Sequence, residues 1–326
     1  CMKFLIRMLI PTFLFLLTSC EQEWDLEGYR DSELENTLVV NAILNPDSLL
    51  RVSVSRPFFF SQQHSEFSPV ENLAMTVSDT NGQTETLKYD PGSKSYLSTI
   101  YPHCGERYEI AINTNREIII THDEIPHKVD IQDVSVGVEG PIHIYWDTDY
   151  RFTYKITFQD TKGEPNYYFL AIDDNSLPYE FSQMGQVDYT GDYVFHVLAS
   201  VVNNGLQGWQ PDGVFGYPFS DEGIDGKQYS LTVTEILQTP LVQMIERLPR
   251  KIKLYSISKP YYEYMVSVLS MDYDESAFKG NLLSLGLMEP SKIYSNISGG
   301  AGIMGSYCLS TMEIDLLEHT GGWPKK

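Results

Sequence analysis

Short segments in which apolar and polar residues alternate fill much of the chain after residue 36. A period of two is typical of strands that bury one face, because successive side chains point to opposite sides of a strand. Turn-forming pairs such as Asn45-Pro46 and Asn81-Gly82 separate the segments. The pattern predicts an immunoglobulin-like β-sandwich over residues 36–125, with strands at 37–44, 50–55, 75–78, 108–113 and 117–121.

The second part of the chain, residues 126–326, combines strand patterns with helical ones. Apolar residues follow Pro260 at helical spacing, so we predict a helix over 260–271 and a shorter one over 240–247. The polar segment 122–128 is the predicted junction. The fold class is therefore mainly β, with a larger β-rich domain after the sandwich and strands at 142–146, 152–158, 167–172, 193–199, 228–233 and 252–257.

A glycine-, proline- and aromatic-rich stretch at 205–226 predicts a long structured loop. Most aromatic residues of a β protein belong to its core. A loop of this composition does not easily bury four of them, however, and exposed apolar patches mark interaction sites. We therefore predict a partner-binding surface made of Trp209, Phe215, Tyr217 and Phe219.

The N-terminal residues have the order of a secretory leader. Lys3 and Arg7 precede an apolar run at 8–17 that contains Pro11. This run is about half the length of the roughly 20 residues that a membrane-spanning helix needs. We expect a removable leader over residues 1–19.

The small residues before Cys20 resemble the lipobox of bacterial lipoproteins. The resemblance implies that Cys20 is acylated and becomes the mature N-terminus; the alternative is a plain secretory leader that contains a cysteine. The segment 20–35 is rich in acidic residues, and we interpret it as a solvated tether. They are similar to the export signal of surface lipoproteins in the Bacteroidota, which favours the cell surface over the periplasmic face.

The charge balance narrows the classes of partner. The chain holds 23 Lys and Arg residues against 44 Asp and Glu residues, a formal net charge of −21. Nucleic acids and anionic lipid surfaces require clustered cations, so we expect neither as a ligand. Partners that are neutral, cationic or bridged by metal remain open.

Cysteine is sparse after Cys20, with only Cys104 and Cys308. In an oxidising compartment these two residues could form one disulfide. Two separate buried thiols are the alternative, and the spacing does not decide between them.

Two short motifs resemble catalytic or nucleotide-binding signatures. Residues 300–305 fit G-x-G-x-x-G, but 306–310 reads as a strand where a dinucleotide site needs a helix, so we predict structural glycines. Ser256-Ile257-Ser258-Lys259 fits S-x-x-K but follows a strand and lacks the S-D-N and K-T-G partners, so we predict capping or linking residues.

Metal ligation is not expected. His122 and His127 lie five apart in the polar junction, without the i, i+4 helical spacing of zinc sites. The acidic clusters lack the calcium-loop spacing and read as exposed turns; they lie at 147–149, 173–175, 221–225 and 272–275. We predict no catalytic residues, no metal and no cofactor.

Several motifs occur in an order that resembles the Bacteroidota lipoproteins catalogued as domain of unknown function 4249. The closing run at 290–305 is the most distinctive; the others are Leu38-Val39-Val40-Asn41, Gly105-Glu106-Arg107-Tyr108, Ile125-Pro126, Tyr167-Tyr168-Phe169 and 259–266. The resemblance covers nearly all of the chain after the leader. It implies an outer-membrane lipoprotein commonly encoded beside TonB-dependent transporters, and it carries no catalytic residues.

Together these observations predict a non-enzymatic protein anchored by lipid in the outer-membrane bilayer, on the cell surface. It would serve a TonB-dependent β-barrel transporter or an envelope complex, by capturing ligand or by bracing the transporter. One alternative is a surface hydrolase of glycan or peptide, which needs paired carboxylates or a nucleophile in a cleft. The other is a structural or adhesive surface protein.

Overall fold

The computed structural model describes residues 37–57, 68–114, 117–144, 147–173, 186–195, 216–238, 249–274 and 292–319. Over these residues the protein is mainly β, as predicted, whereas the immunoglobulin-like form of the first part stays a prediction. Its strands form three sheets. None of the helices in the described residues is long and apolar enough to cross a membrane.

The first part of the chain supplies the eight strands β1 to β8. Strands β4, β3, β7 and β8 form an antiparallel sheet in that order. Alternation places Val77 and Ile110 on its inner face, where both are fully buried. The bounds are β1 Val39–Leu44, β2 Arg51–Ser55, β3 Ala74–Asp79, β4 Thr84–Thr86, β5 Lys88–Asp90, β6 Ser95–Leu97, β7 Arg107–Asn113 and β8 Ile118–Glu124.

The second part supplies longer strands and the helices. Strands β12, β14, β10 and β9 form a second antiparallel sheet, and alternate residues of β10, such as Phe152 and Tyr154, are fully buried against the rest of this core. The bounds are β9 Ile131–Ile144, β10 Asp147–Gln159, β11 Tyr167–Asp173, β12 Gln186–Asp188, β13 Gly216–Ser220, β14 Gln228–Gln238, β15 Pro249–Ile257, α1 Lys259–Asp274, β16 Ala301–Asp315 and α2 Leu316–His319.

A third sheet of eight strands joins the two parts, in the order β13-β11-β15-β16-β1-β2-β6-β5. Strand β1 pairs in parallel with β16, from Val39 opposite Ala301 to Leu44 opposite Ser306. The chain does change sheet between β8 and β9, at the predicted junction. The two parts nevertheless share β16, and whether each folds alone stays a prediction.

The glycine-rich run has the structural role predicted for it. Gly302 lies in β16 with φ +108°, and a Cβ there would overlap the carbonyl oxygen of Val40 on β1. A Cβ at Gly305 would lie 2.7 Å from the Cβ of Tyr261 on α1. These glycines let β16 approach β1 on one side and the helix on another.

The helix predicted over 260–271 is confirmed as α1. Ser258 precedes it, and its Oγ accepts a hydrogen bond from the Tyr261 backbone N–H at 3.4 Å, so the S-x-x-K motif supplies a helix cap. Tyr261, Met265 and Leu269 are buried, and the first two pack on the sheet. The second predicted helix, at 240–247, lies outside the described residues.

The strand predicted at 193–199 is wrong at its beginning. Tyr193–Phe195 forms a 3-10 turn, because Asp192 bonds to the chain ahead of it: its Oδ1 accepts from Val194 N at 3.2 Å and its carbonyl from Phe195 N at 3.3 Å. Residues 196–199 lie outside the described part of the chain.

Cys104 and Cys308 form a disulfide, with their Cα atoms 6.2 Å apart. Of the two alternatives that the sequence leaves open, the structure contains the bridge. It links the segment before β7 to the middle of β16, across a sequence separation of 204 residues. The first part is thus bound to the end of the second both covalently and by β pairing.

Candidate ligand-binding cleft

A cleft of about 670 Å³ lies where the two parts of the chain meet. Its lining comes from three segments, which are the end of β8 with the junction (123–129), the β10–β11 loop (161–168), and the end of β15 with the first turn of α1 (256–260). Clefts of this size between structural units are common places for small ligands.

The floor of the cleft is built around the buried carboxyl group of Asp123. The inward alternation of β8, which buries Ile119 and Thr121, continues to this residue and leaves it 4% exposed. The Ser306 hydroxyl donates to Asp123 Oδ2 at 2.6 Å, and Ser258 also bonds to the carboxylate. Ser258 Oγ in turn accepts from Ser306 N at 3.2 Å. Three distant segments therefore meet at one satisfied network.

Burial raises the pKa of Asp123 to about 6, against the opposing effect of its hydrogen bonds from Ser306 and Ser258. A carboxyl group in a cleft with such a pKa can exchange a proton near neutral pH. A raised pKa is also expected of a buried carboxyl group whose role is only to join strands.

The walls are partly apolar and the rim is charged. Val129, Tyr168 and Ile257 are buried, whereas Tyr167 is half-buried with its ring centroid 4.7 Å from that of Tyr262 on α1. The rim carries exposed charged groups of both signs, namely Glu124, Lys162, Glu164 and Lys259. A ligand in this cleft would meet an apolar wall and charges at its entrance.

The junction is held against the first part by a tight turn. Gly105 N donates to Ile125 O at 2.7 Å, and Ile125 N donates to Glu106 O at 2.9 Å. Gly105 has φ +81°, and a Cβ there would overlap the imidazole of His127. The junction is therefore ordered by backbone bonds and close packing.

Three aspartates meet behind the β10–β11 loop. The carboxylate oxygens of Asp160, Asp221 and Asp225 lie within 4.8 Å of one another, close enough for a metal ion. They already bond the two loops together: Gly226 N donates to Asp160 at 2.6 Å, and Gly163 N to Asp225 at 2.9 Å. Burial, and then the charges of Asp221 and Asp225, raise the pKa of Asp160. The prediction that 221–225 is an exposed turn is wrong for Asp221, which is buried.

The predicted partner surface is wrong for the two residues of it that the structure describes. Tyr217 and Phe219 lie on β13 and are 8% and 1% exposed. Strand β13 pairs with β11, and this places the Phe219 ring against Tyr168, centroids 5.2 Å apart. Gly216–Ser220 is thus a core strand within the predicted loop. Trp209, Phe215 and Cys20 lie outside the described residues.

A buried ion pair that was not anticipated from the sequence lies in the second core, which is the hydrophobic core of the second part of the chain. Arg250 Nη2 lies 2.7 Å from Glu235 Oε1 and Nε lies 3.1 Å from Oε2, with both side chains almost fully buried. The Tyr154 hydroxyl bonds to the same carboxylate. The available signal was that Arg250 occupies an inward position of a strand pattern.

A family model with the description "Domain of unknown function (DUF4249)" matches residues 26–312. The matched range contains all residues that line the cleft and both cysteines of the disulfide. No curated protein matches the chain.

Proposed function

The chain belongs to the family described as domain of unknown function DUF4249, and we propose that it is a lipid-anchored accessory protein of the outer membrane. Cys20 is the acylated N-terminus, and residues 20–35 are a tether at the cell surface. The folded body serves a TonB-dependent β-barrel transporter or another envelope complex of a bacterium of the Bacteroidota. It acts by binding and not by catalysis.

The observation that carries this proposal is the leader-like segment with Lys3 and Arg7 that ends in Ser19-Cys20. The disulfide supports a location outside the cytoplasm, because such bonds persist in oxidising compartments. If extended, the residues between Cys20 and Thr37 could span at most about 60 Å, so the body would stay close to the membrane. A tethered protein has a high effective concentration near a membrane partner.

The cleft favours ligand capture over simple bracing of the transporter. Its volume falls within the range of about 300–1,000 Å³ that is usual for small-molecule sites. Its apolar wall at Tyr167 and its charged rim offer both contact area and polar discrimination. A brace would need only an outer surface.

Lipidation is tested with Cys20→Ala, and Ser19→Ala serves as the matched control. In the native host, the wild type and Ser19→Ala should take up a palmitate analogue and fractionate with the outer membrane. Cys20→Ala should do neither. Labelled, membrane-bound Cys20→Ala protein would disprove the anchor.

The partner is tested by purification of the lipoprotein from its host in a gentle detergent, followed by mass spectrometry of the co-purifying proteins. A TonB-dependent barrel in stoichiometric amount, absent from a Cys20→Ala preparation, is the expected result. A purification that yields no barrel would reject the transporter role and leave the anchor intact.

The alternative of a surface hydrolase of glycan or peptide is favoured by one observation, the buried Asp123 in the cleft with its raised pKa. If the cleft is catalytic, purified wild type should hydrolyse glycan or peptide substrates and Asp123→Asn should lose that activity. Equal, background-level rates for the two proteins would exclude this role for Asp123.

A further inference from the structure

The first described strand, β1, is a central strand of the eight-stranded sheet. Parallel β16 lies on one side of it and antiparallel β2 on the other. Six consecutive residues of β1 are in register with β16. The chain that comes from residue 36 thus enters the body in its interior, with paired neighbours on both sides.

The parallel direction decides how tension acts on this pair. The chain enters β1 next to Ala301 and leaves β16 at Asp315, the opposite end. A pull between these points acts along the strand axis, so that all the register pairs of β1 and β16 resist at once. A pull at right angles would open the pairs one after another from the end.

The segment of β16 that pairs with β1 is also held on its other side. Asn296 bonds to the backbone of Met304 twice: its Nδ2 donates to Met304 O at 2.8 Å, and its Oδ1 accepts from Met304 N at 2.9 Å. Ser306 is bonded to Asp123 and Ser258. The part of β16 that pairs with β1 is therefore held to the body while β1 is under load.

The disulfide adds a covalent restraint that acts after the β1–β16 pair has separated. Cys308 follows the paired segment of β16 by two residues, and its partner Cys104 lies before β7. Residues 105–307 form a closed loop that tension between the two ends of the chain bypasses. If β1 detaches, only the residues before Cys104 and after Cys308 can extend.

We propose that the β1–β16 pair and the Cys104–Cys308 bridge together have a mechanical function, which is to hold the body on its N-terminal segment under tension. The pair resists first, by shear. The bridge then limits extension to the residues before Cys104 and after Cys308, so that residues 105–307, which contain the whole lining of the cleft, stay in a closed loop. This inference goes beyond the proposed function and does not depend on lipidation.

The shear element is tested by single-molecule force spectroscopy on residues 21–326 with handles at both ends. In the comparison, the second handle is attached instead to an unnatural side chain at the exposed position of Ile118. This position is close to the beginning of β16, because the preceding residue, Glu117, lies against Gly299. The second geometry peels β1 from its end. We expect a first rupture force several times higher between the two ends than in the peeling geometry. Equal forces, or a lower force between the ends, would overturn the shear element.

The role of the disulfide in limiting extension is tested by the contour length that is released on unfolding. Without reductant, the end-to-end pull should release a contour length of roughly 25 nm. This is the length of residues 37–104 together with the described residues after Cys308. With reductant, or in a Cys104→Ala/Cys308→Ala variant that retains a cooperative thermal transition, the described body should release up to about 100 nm. Release of the full length by the oxidised protein would disprove the bypass.

Discussion

At the scale of single residues, Asp123 connects the chemistry of the cleft to the stability of the fold. Its carboxyl group joins β8 to β16 and to the cap of α1, and it is buried. Its sequence neighbours His122 and Glu124 are exposed because they lie on the opposite face of β8. Alternation alone could place Asp123 inward, but not beside Ser306.

Asp123 should make stability fall as pH rises. Its pKa is about 6 in the folded protein and near 4 in the unfolded chain, so the folded state binds more protons between these values. The contribution of Asp123 to the free energy of unfolding is fully present below pH 4. About 3 kcal/mol of it is lost as the pH rises through 6. In urea unfolding, Asp123→Asn should therefore gain about that much relative to wild type between pH 4 and pH 7.

The control for this experiment is Asp130→Asn, which changes an exposed carboxylate two residues after the junction. Because an exposed ion pair contributes little to stability, Asp130→Asn should unfold at nearly the same urea concentration as wild type at each pH. A parallel pH dependence of wild type and Asp123→Asn would contradict the assignment.

Gly302 is the second residue with a specific requirement. We expect Gly302→Ala to lower the free energy of unfolding by about 1–3 kcal/mol, because φ +108° is strained for alanine and its Cβ meets Val40 O. Gly137→Ala in β9, where a Cβ meets nothing within 4 Å, is the matched control and should not destabilise. Equal denaturation midpoints for the two variants would remove the steric argument.

At the scale of elements, strands β14 and β15 are joined across the second core by Glu235 and Arg250. A buried pair of this kind can be replaced by apolar residues at little cost, whereas a single buried charge is costly. Any pairing of strands that buried Glu235 apart from Arg250 would therefore be unfavourable. Neither strand pattern indicates it alone.

Arg250→Met should destabilise the protein by about 3–5 kcal/mol, since it leaves the buried Glu235 carboxylate without its positively charged partner. The double variant Arg250→Met/Glu235→Leu should recover much of this loss in a denaturant double-mutant cycle. The exposed pair Lys251–Glu313 is the control, and Lys251→Met should change little. Additive effects of the two core substitutions would show that the pair is not coupled.

At the scale of the whole molecule, the two parts depend on one another through β16. The first core includes Ile297, Met304 and Cys308 from the end of the chain. The cleft also exists only where the two parts meet. The segment 122–128 thus separates two cores, but the first core is completed by residues from the C-terminal part of the chain.

A fragment of residues 36–125 should fail to fold cooperatively, although its pattern is that of a complete sandwich. It would lack the β16 partner of β1 and the core residues that β16 supplies. Thermal unfolding followed by circular dichroism should show a cooperative transition for residues 21–326 and none for the fragment. A fragment with a comparable melting transition would establish the first part as an independent domain.

The sequence by itself determined the features that depend on local periodicity and local chemistry. Alternation indicated most strands and the β class, helical spacing with Pro260 indicated α1, and closely spaced glycines indicated a structural turn into β16. The motif order indicated the family. In each case the signal lies within a few residues, where backbone geometry and one buried face dictate the pattern.

Only the tertiary structure decided which distant elements meet. The β1–β16 pair, the Cys104–Cys308 bridge and the Asp123–Ser306 bond each join residues more than 180 positions apart. Local propensity carries no information about such partners, because strand pairing is set by the burial of whole faces and not by the strand's own sequence. For the same reason Tyr217 and Phe219, which read as loop residues, are buried in the core.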